Sequence, residues 1–321
     1  MYFKDAGFSA GTGHFFGFGG RADEGGGKAV KHMELKGAYT ALVTPYRNGE
    51  VDYKKLHELV EMQIAGGITG IVPVGTSGES PSLTYEEHDK VIREVIVAAA
   101  GRCQIIAGTG SNCTREAIAM TRAAKEAGAD ATLQVTPYYN KPTQEGLFQH
   151  FTAVAREGGL PVVLYNVPGR SGVGIAETTV ARLSENPMIV AVKEAAGSVE
   201  RVSAIRNLCG ITILSGDDSL TLPMMAVGAS GVISVASNII PAEVSELVRA
   251  FLEGDPARAL ELHRRYYAFF RDQFIETNPI PIKAAMAIKG LIEEEYRLPL
   301  CPLAPASRAK LIETMKRCGI L

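Results

Sequence analysis

Lys193 closes the apolar run Ile189-Val190-Ala191-Val192-Lys193-Glu194, and a lysine inside such a run is where imine chemistry starts. Period-two alternation puts it on the face shared by Ile189 and Ala191. A buried ammonium is costly, so two readings compete. One is a core lysine paired with a carboxylate. The other is a nucleophile: a free lysine, with a pKa of about 10.4, is almost fully protonated at neutral pH, and desolvation recovers the amine. Such an amine attacks a ketone, expels water as the imine forms, and turns the neighbouring methyl into an enamine nucleophile.

Other residues suited to that chemistry end other apolar runs. Tyr165, in Leu164-Tyr165-Asn166-Val167-Pro168-Gly169-Arg170, has the parity of Val163. Alone it reads as a packed aromatic with a satisfied hydroxyl. Beside an imine-forming lysine it is a proton donor and acceptor for carbinolamine formation and dehydration. Arg170 reads either as a surface ion pair or as a fork for a carboxylate. Val74-Gly75-Thr76-Ser77-Gly78-Glu79-Ser80 sets two hydroxyls in a tight turn, suited to holding a carboxylate or relaying protons. Tyr138 and Tyr139 form an exposed aromatic pair. Asp217 and Asp218 would repel a phosphate, and no histidine or third carboxylate stands near them in sequence, so they read as capping or loop-fixing residues.

These groups need elements to hold them. From Gly37 on, eight short apolar runs alternate with helical patterns: Ala38–Pro45, Gly70–Gly75, Cys103–Thr109, Ala131–Pro137, Pro161–Val167, Ile189–Glu194, Thr212–Gly216 and Gly231–Ala236. Runs apolar nearly throughout are strands buried on both faces of a parallel sheet. A representative helix is Thr114–Ala127, with Ala117, Met120, Ala124 and Ala127 expected on one stripe. Eight β-α units in series predict a closed (β/α)8 TIM barrel, whose catalytic groups stand at the carboxyl ends of the strands. Helical patterns over 242–253, 256–275, 280–293 and 304–317 then predict a small C-terminal helical domain. The expected boundaries are a tail over 1–33, the barrel over 34–257 and the helical domain over 258–321.

The 321-residue composition, 46% apolar and 21% charged with a net charge of −2, is that of a globular protein. It carries no basic footprint for nucleic acid and no apolar run near the roughly 18 residues of a membrane helix. The five scattered cysteines read as reduced thiols, and the dispersed histidines give no metal-ligand spacing. No cofactor motif is present. Gly17 and Gly19 imitate part of a dinucleotide fingerprint without its strand and helix. Residues 1–33, rich in Gly and Phe, are expected to be disordered, with His32-Met33 as a junction or an alternative start.

The motifs VGTSGES (74–80), TPYYNKPTQEG (136–146), YNVPGRSG (165–172), VKEAAG (192–197), SGDD (215–218) and GVISV (231–235) occur in an order and spacing that resembles the dihydrodipicolinate synthase and N-acetylneuraminate lyase superfamily. The resemblance covers about 34–321. It implies a class I, Schiff-base-forming lyase without a cofactor, with pyruvate on Lys193. It also implies Tyr165, Thr76 and Tyr139 as a hydroxyl relay, the last reaching in from a neighbouring subunit. Ser77 stands where a second threonine is common, and Gly216 and Ile233 match backbone positions lining the pyruvate pocket. Arg170 matches the arginine that holds the carboxylate of L-aspartate 4-semialdehyde. It thereby favours the synthase branch, which serves diaminopimelate and lysine biosynthesis, over N-acetylneuraminate lyases and 2-keto-3-deoxy-sugar-acid aldolases. A non-catalytic keto-acid sensor is a third reading. The resemblance further implies feedback by L-lysine at Ser80, His88, Asn112, Glu116 and Tyr138, with Tyr85 and Pro81 as departures from the usual pattern. A cytoplasmic homotetramer, a dimer of dimers, is the expected assembly.

Overall fold

The computed structural model describes residues 33–321; the tail with Gly17, Gly19 and His32 lies outside the described residues. Glu34–Leu321 form one compact unit. Its centre is a closed barrel of eight strands: β1 (Gly37–Ala41), β2 (Gly70–Val72), β3 (Gln104–Gly108), β4 (Ala131–Val135), β5 (Val162–Asn166), β6 (Ile189–Glu194), β7 (Thr212–Ser215) and β8 (Gly231–Ser234). Each strand pairs in parallel with the next, and β1 closes the ring on β8. The expected (β/α)8 barrel is therefore the fold.

A helix follows each strand: α1 (Tyr53–Ala65), α2 (Tyr85–Ala99), α3 (Thr114–Ala127), α4 (Gln144–Gly158), α5 (Glu177–Ser184), α6 (Glu200–Leu208), α7 (Thr221–Ala226) and α8 (Pro241–Leu252). Local chemistry sets their ends. Thr84 and Glu87 form a reciprocal capping box at the start of α2. Gly128, at φ 99°, ends α3 in the left-handed conformation that glycine adopts without a Cβ penalty. Three more long helices follow the barrel: α9 (Pro256–Asp272), α10 (Ile280–Ile288) and α11 (Pro305–Arg317).

The structure departs from the sequence reading in three places. Most strands stop one to four residues short of their apolar runs, because the remainder (Leu42–Pro45, Pro73–Gly75, Thr136–Pro137) turns out of the ladder to build the mouth of the barrel. The buried stripe of α3 is Ala117, Ile118, Thr121 and Ala124. Thr121 takes a core position because its hydroxyl donates to Ala117 O at 2.6 Å and meets Thr109 Oγ1 at 2.9 Å, a pairing that an apolar period cannot reveal. Register between β5 and β6 shifts by one residue, with Val162 opposite Ile189 but Val163 opposite Ala191. The bulge puts an extra residue, Val190, into β6, so strict alternation holds only from Ala191 onward.

Candidate active site

The two central groups sit on adjacent strands in direct register. Tyr165 on β5 faces Lys193 on β6, and one step further Asn166 faces Glu194. Alternation then sends the first pair toward the barrel axis and the second toward the helices. The outward pair is tightly bonded: Asn166 Nδ2 donates to both Glu194 oxygens at 2.9 and 3.0 Å, and Glu194 also accepts from Ala196 N and Arg201 Nε. The inward pair is packed: Lys193 is 5% exposed and Tyr165 6%, and Lys193 Nζ lies 4.4 Å from the centre of the Tyr165 ring. Lys193 takes part in none of the ion pairs found among the described residues, and its sequence neighbour Glu194 is already committed. Among the described residues, no carboxylate lies within ion-pair distance of the Lys193 ammonium.

Lys193 opens into a cavity of about 680 Å³ that Tyr165, Thr76, Ser77, Arg170 and Gly216 also line. Its location at the carboxyl ends of the strands is where a barrel gathers chemistry. Glycine is needed at two points. A Cβ on Gly216 would stand 3.0 Å from Lys193 Cε, and one on Gly78 would stand 2.8 Å from Val74 Cα. The second close approach folds the Thr76-Ser77 turn back on itself. Val74 (φ 48°) and Glu79 (φ 55°) are both held in the left-handed region. For a β-branched valine that is strained backbone, which the surroundings must hold in place.

Sequence reasoning missed one wall. The segment 274–278, between α9 and α10, crosses the mouth and lines the same cavity. Asn278 joins two site residues: its Nδ2 donates to Ser77 Oγ at 3.0 Å, and its carbonyl accepts from Arg170 Nη2 at 3.1 Å. Arg170, on the one-turn helix Pro168–Ser171, is thereby steered over the cavity.

Of the residues expected to be catalytic or to bind substrate, two are not brought to this cavity. Tyr139 is 90% exposed at φ 70° and does not line it. Ile233 is fully buried in β8, and Val235, two residues on, is the one that lines the site.

With that geometry in hand, comparison decides the family. Residues 34–318 match the Dihydrodipicolinate synthetase family. The chain belongs to that family. A 4-hydroxy-tetrahydrodipicolinate synthase of Geotalea daltonii is 55% identical over 289 residues, which is 89% of this chain and all of that protein. A dihydrodipicolinate synthase from Acinetobacter baumannii, solved with pyruvate, superposes with a TM-score of 0.88 at 47% identity, covering 90% of this chain and all of that one. A dihydrodipicolinate synthase from Cyanidioschyzon merolae, solved with lysine bound, superposes with a TM-score of 0.86 at 41% identity, covering 89% of this chain and 99% of that one.

In this family member a second cavity, about 430 Å³, shares the Thr76, Tyr165 and Arg170 wall and is lined further by Ser80, His88, Glu116 and Tyr138. His88, 3% exposed on α2, donates from Nε2 to Gly108 O at 3.0 Å. Glu116, in the first turn of α3, accepts from Ser111 Oγ at 2.8 Å. Burial and the nearby Glu116 carboxylate push the Tyr138 phenol up from its ordinary pKa. Asn112 does not line this cavity; its Nδ2 donates to Tyr138 O at 3.3 Å and so braces the tyrosine's backbone. Tyr85 and Pro81 both line it as well. A larger cavity of about 930 Å³ lies at the amino end of β1, near Lys36 and Glu246, and holds none of these groups.

Proposed function

We propose that this chain condenses pyruvate with L-aspartate 4-semialdehyde, the reaction of a 4-hydroxy-tetrahydrodipicolinate synthase, with Lys193 as the amine that carries the imine. The observation that carries the reading is a buried, unpaired lysine packed on a tyrosine at the carboxyl end of the barrel, in one cavity with Arg170. Lys193 attacks the pyruvate ketone. Tyr165 supplies and removes the protons that release water, passing them through Thr76 and, from a neighbouring subunit, Tyr139. Ser77 and the backbone at Gly216 hold the pyruvate end. The enamine then adds to the aldehyde carbon, with the second substrate's carboxylate on Arg170. Arg170 is also what sets this site apart from sugar-acid aldolases, whose second substrate has no amino-acid head group.

The near-complete exposure of Tyr139 fits a residue that completes a neighbour's site, and a homotetramer built from two such dimers accounts for it. No helix among the described residues is long and apolar enough to cross a membrane, in keeping with a biosynthetic enzyme of the cytoplasm. The Ser80, His88, Asn112, Glu116 and Tyr138 group takes L-lysine as a feedback inhibitor, Glu116 meeting an ammonium. The lysine-bound relative from Cyanidioschyzon merolae supports that reading.

Borohydride trapping tests the core of this proposal. Reduction in the presence of pyruvate should leave a covalent adduct on Lys193, and adding aspartate 4-semialdehyde should give turnover. An adduct that persists in Lys193→Ala would overturn the assignment. Trapping without turnover would keep the imine and reject the second substrate. Inhibition in millimolar L-lysine that is lost in Glu116→Ala is the expected regulatory result, and unchanged rates in lysine would remove that part.

A further inference from the structure

Asp217 and Asp218 follow β7 side by side in opposite surroundings. Asp218 is 2% exposed, and its carboxylate accepts from Ser234 Oγ, Val235 N at 3.0 Å, Ala236 N at 3.2 Å and Gln273 Nε2 at 2.7 Å. Those bonds tie the ends of β7 and β8 to α9, which is the loop-fixing role expected of it. Asp217 has its main chain fixed instead. Its N donates to Ser215 Oγ at 3.2 Å, and its carbonyl accepts from Ser215 Oγ at 2.9 Å and Thr221 Oγ1 at 3.2 Å. Its side chain caps no helix and joins none of the ion pairs found among the described residues, and it accepts from the backbone N–H of Gly197; the residue lines the cavity that holds Lys193 and Arg170.

The second substrate brings two charges to this cavity, a carboxylate and an α-ammonium. Arg170 answers the first. The carboxylates lining the cavity are Asp217 and Glu276; each accepts one backbone N–H, from Gly197 and from Ala304, and Asp217 feels the charge of Lys193 across the cavity. We propose that Asp217 binds the α-ammonium of L-aspartate 4-semialdehyde and takes its proton at ring closure, an inference that rests on the function proposed above.

The step balances as follows. After the carbon–carbon bond forms, the adduct is a protonated imine on Lys193 with the α-ammonium intact. Asp217 accepts one proton from that ammonium. The neutral nitrogen attacks the imine carbon, forming the ring carbon–nitrogen bond and moving the imine electron pair onto the Lys193 nitrogen. The ring nitrogen passes one of its two protons to Lys193, and the carbon–Lys193 bond breaks. The ring nitrogen's lone pair forms the carbon–nitrogen double bond as the lysine leaves as a neutral amine. The resulting protonated ring imine gives its remaining proton to water, and Asp217 returns its own proton to water. Burial favours the protonated form of the Asp217 carboxyl, against the opposing pull of Lys193, so its pKa lies above the ordinary carboxylate value. That makes it a better proton acceptor than a solvated aspartate.

The test compares two aldehydes in the full-length protein, wild type against Asp217→Asn: L-aspartate 4-semialdehyde, and 4-oxobutanoate, which keeps the aldehyde and carboxylate but lacks the amine. Pyruvate trapping on Lys193 should stay within twofold. The kcat/KM for aspartate 4-semialdehyde should fall at least a hundredfold, while single-turnover addition to 4-oxobutanoate stays within threefold. Equal losses on both aldehydes, loss of pyruvate trapping, or no loss on either would each overturn the role. If the asparagine variant fails to fold, Asp217→Ser carries the same comparison. Failure of the wild type itself to consume aspartate 4-semialdehyde, with pyruvate trapping intact, would instead reject the underlying reading and the role of Asp217 with it.

Discussion

Gly216 leaves the space that the Lys193 side chain fills: a Cβ at position 216 would stand 3.0 Å from Lys193 Cε and 2.6 Å from Ala195 Cβ. The glycine is required for room, since its φ lies outside the left-handed region. Gly216→Ala should push the amine off its line of attack or strain the β6 end. A displacement of that order costs up to about a hundredfold in rate, and overpacking costs about 1–3 kcal/mol. Stopped-flow measurement of pyruvate adduct formation should show a ten- to hundredfold slowing on that basis. A wild-type rate would mean that Lys193 has slack the packing does not suggest.

Arg170 is aimed by Asn278, whose carbonyl accepts from Arg170 Nη2 at 3.1 Å. Arg170→Lys keeps the charge but loses the planar fork that grips a carboxylate with two bonds. Charge-assisted hydrogen bonds contribute about 1.5–3 kcal/mol, so KM for the semialdehyde should rise about tenfold to a hundredfold while pyruvate trapping is unchanged. Asn278→Ala retains that carbonyl and loses only the bond to Ser77, so its KM effect should be the smaller. Steady-state kinetics with each substrate varied decides this. An effect confined to pyruvate would place Arg170 on the wrong substrate.

How much of this was legible follows from what the sequence encodes locally. The eight strands were readable because strands buried on both faces are continuous apolar runs, and parity put Tyr165 and Lys193 on inward faces. That they stand opposite each other was not readable, because the register shift at Val190 is set by the pairing of β5 with β6. Asn278 was not readable, because it reaches Ser77 and Arg170 only through tertiary folding and lies in an aperiodic segment between helices. Asp217 and Asp218 were indistinguishable in sequence; only the donors around Asp218 separate them. Lys283 did leave a trace, as the one charge in Ile-Pro-Ile-Lys-Ala-Ala-Met-Ala-Ile, where a buried lysine demands a partner.

That partner is Glu79. Both side chains are fully buried, and Lys283 Nζ donates to Glu79 Oε1 while lying 4.2 Å from the centre of the Tyr46 ring. The pair fastens the Thr76-Ser77 turn to α10. Lys283→Met leaves the Glu79 carboxylate buried alone, which costs about 3–5 kcal/mol. Adding Glu79→Gln removes that charge and should restore more than half of the loss. Urea denaturation of the wild type, the single variant and the double variant measures it, and a double variant no more stable than Lys283→Met would show that the pair is not the cause.

His150 gives the fold a dependence on acid. It is 6% exposed on α4, its Nδ1 meets Thr114 Oγ1 at 2.9 Å, and burial lowers its pKa from 6.5 to about 4. The folded protein therefore keeps the ring neutral down to about pH 4, whereas the unfolded chain takes up a proton near 6.5. The unfolded state binds more protons throughout that window, so this contribution is complete above pH 6.5 and is lost as pH falls toward 4. Between pH 7 and pH 5 the loss is about 2 kcal/mol, at 1.36 kcal/mol per unit. His150→Gln has no ring to protonate, so its stability should fall by about 2 kcal/mol less than that of the wild type over the same interval. Urea denaturation at the two pH values, at one protein concentration, makes the comparison. Parallel losses in the two proteins would show that His150 is not held neutral by burial.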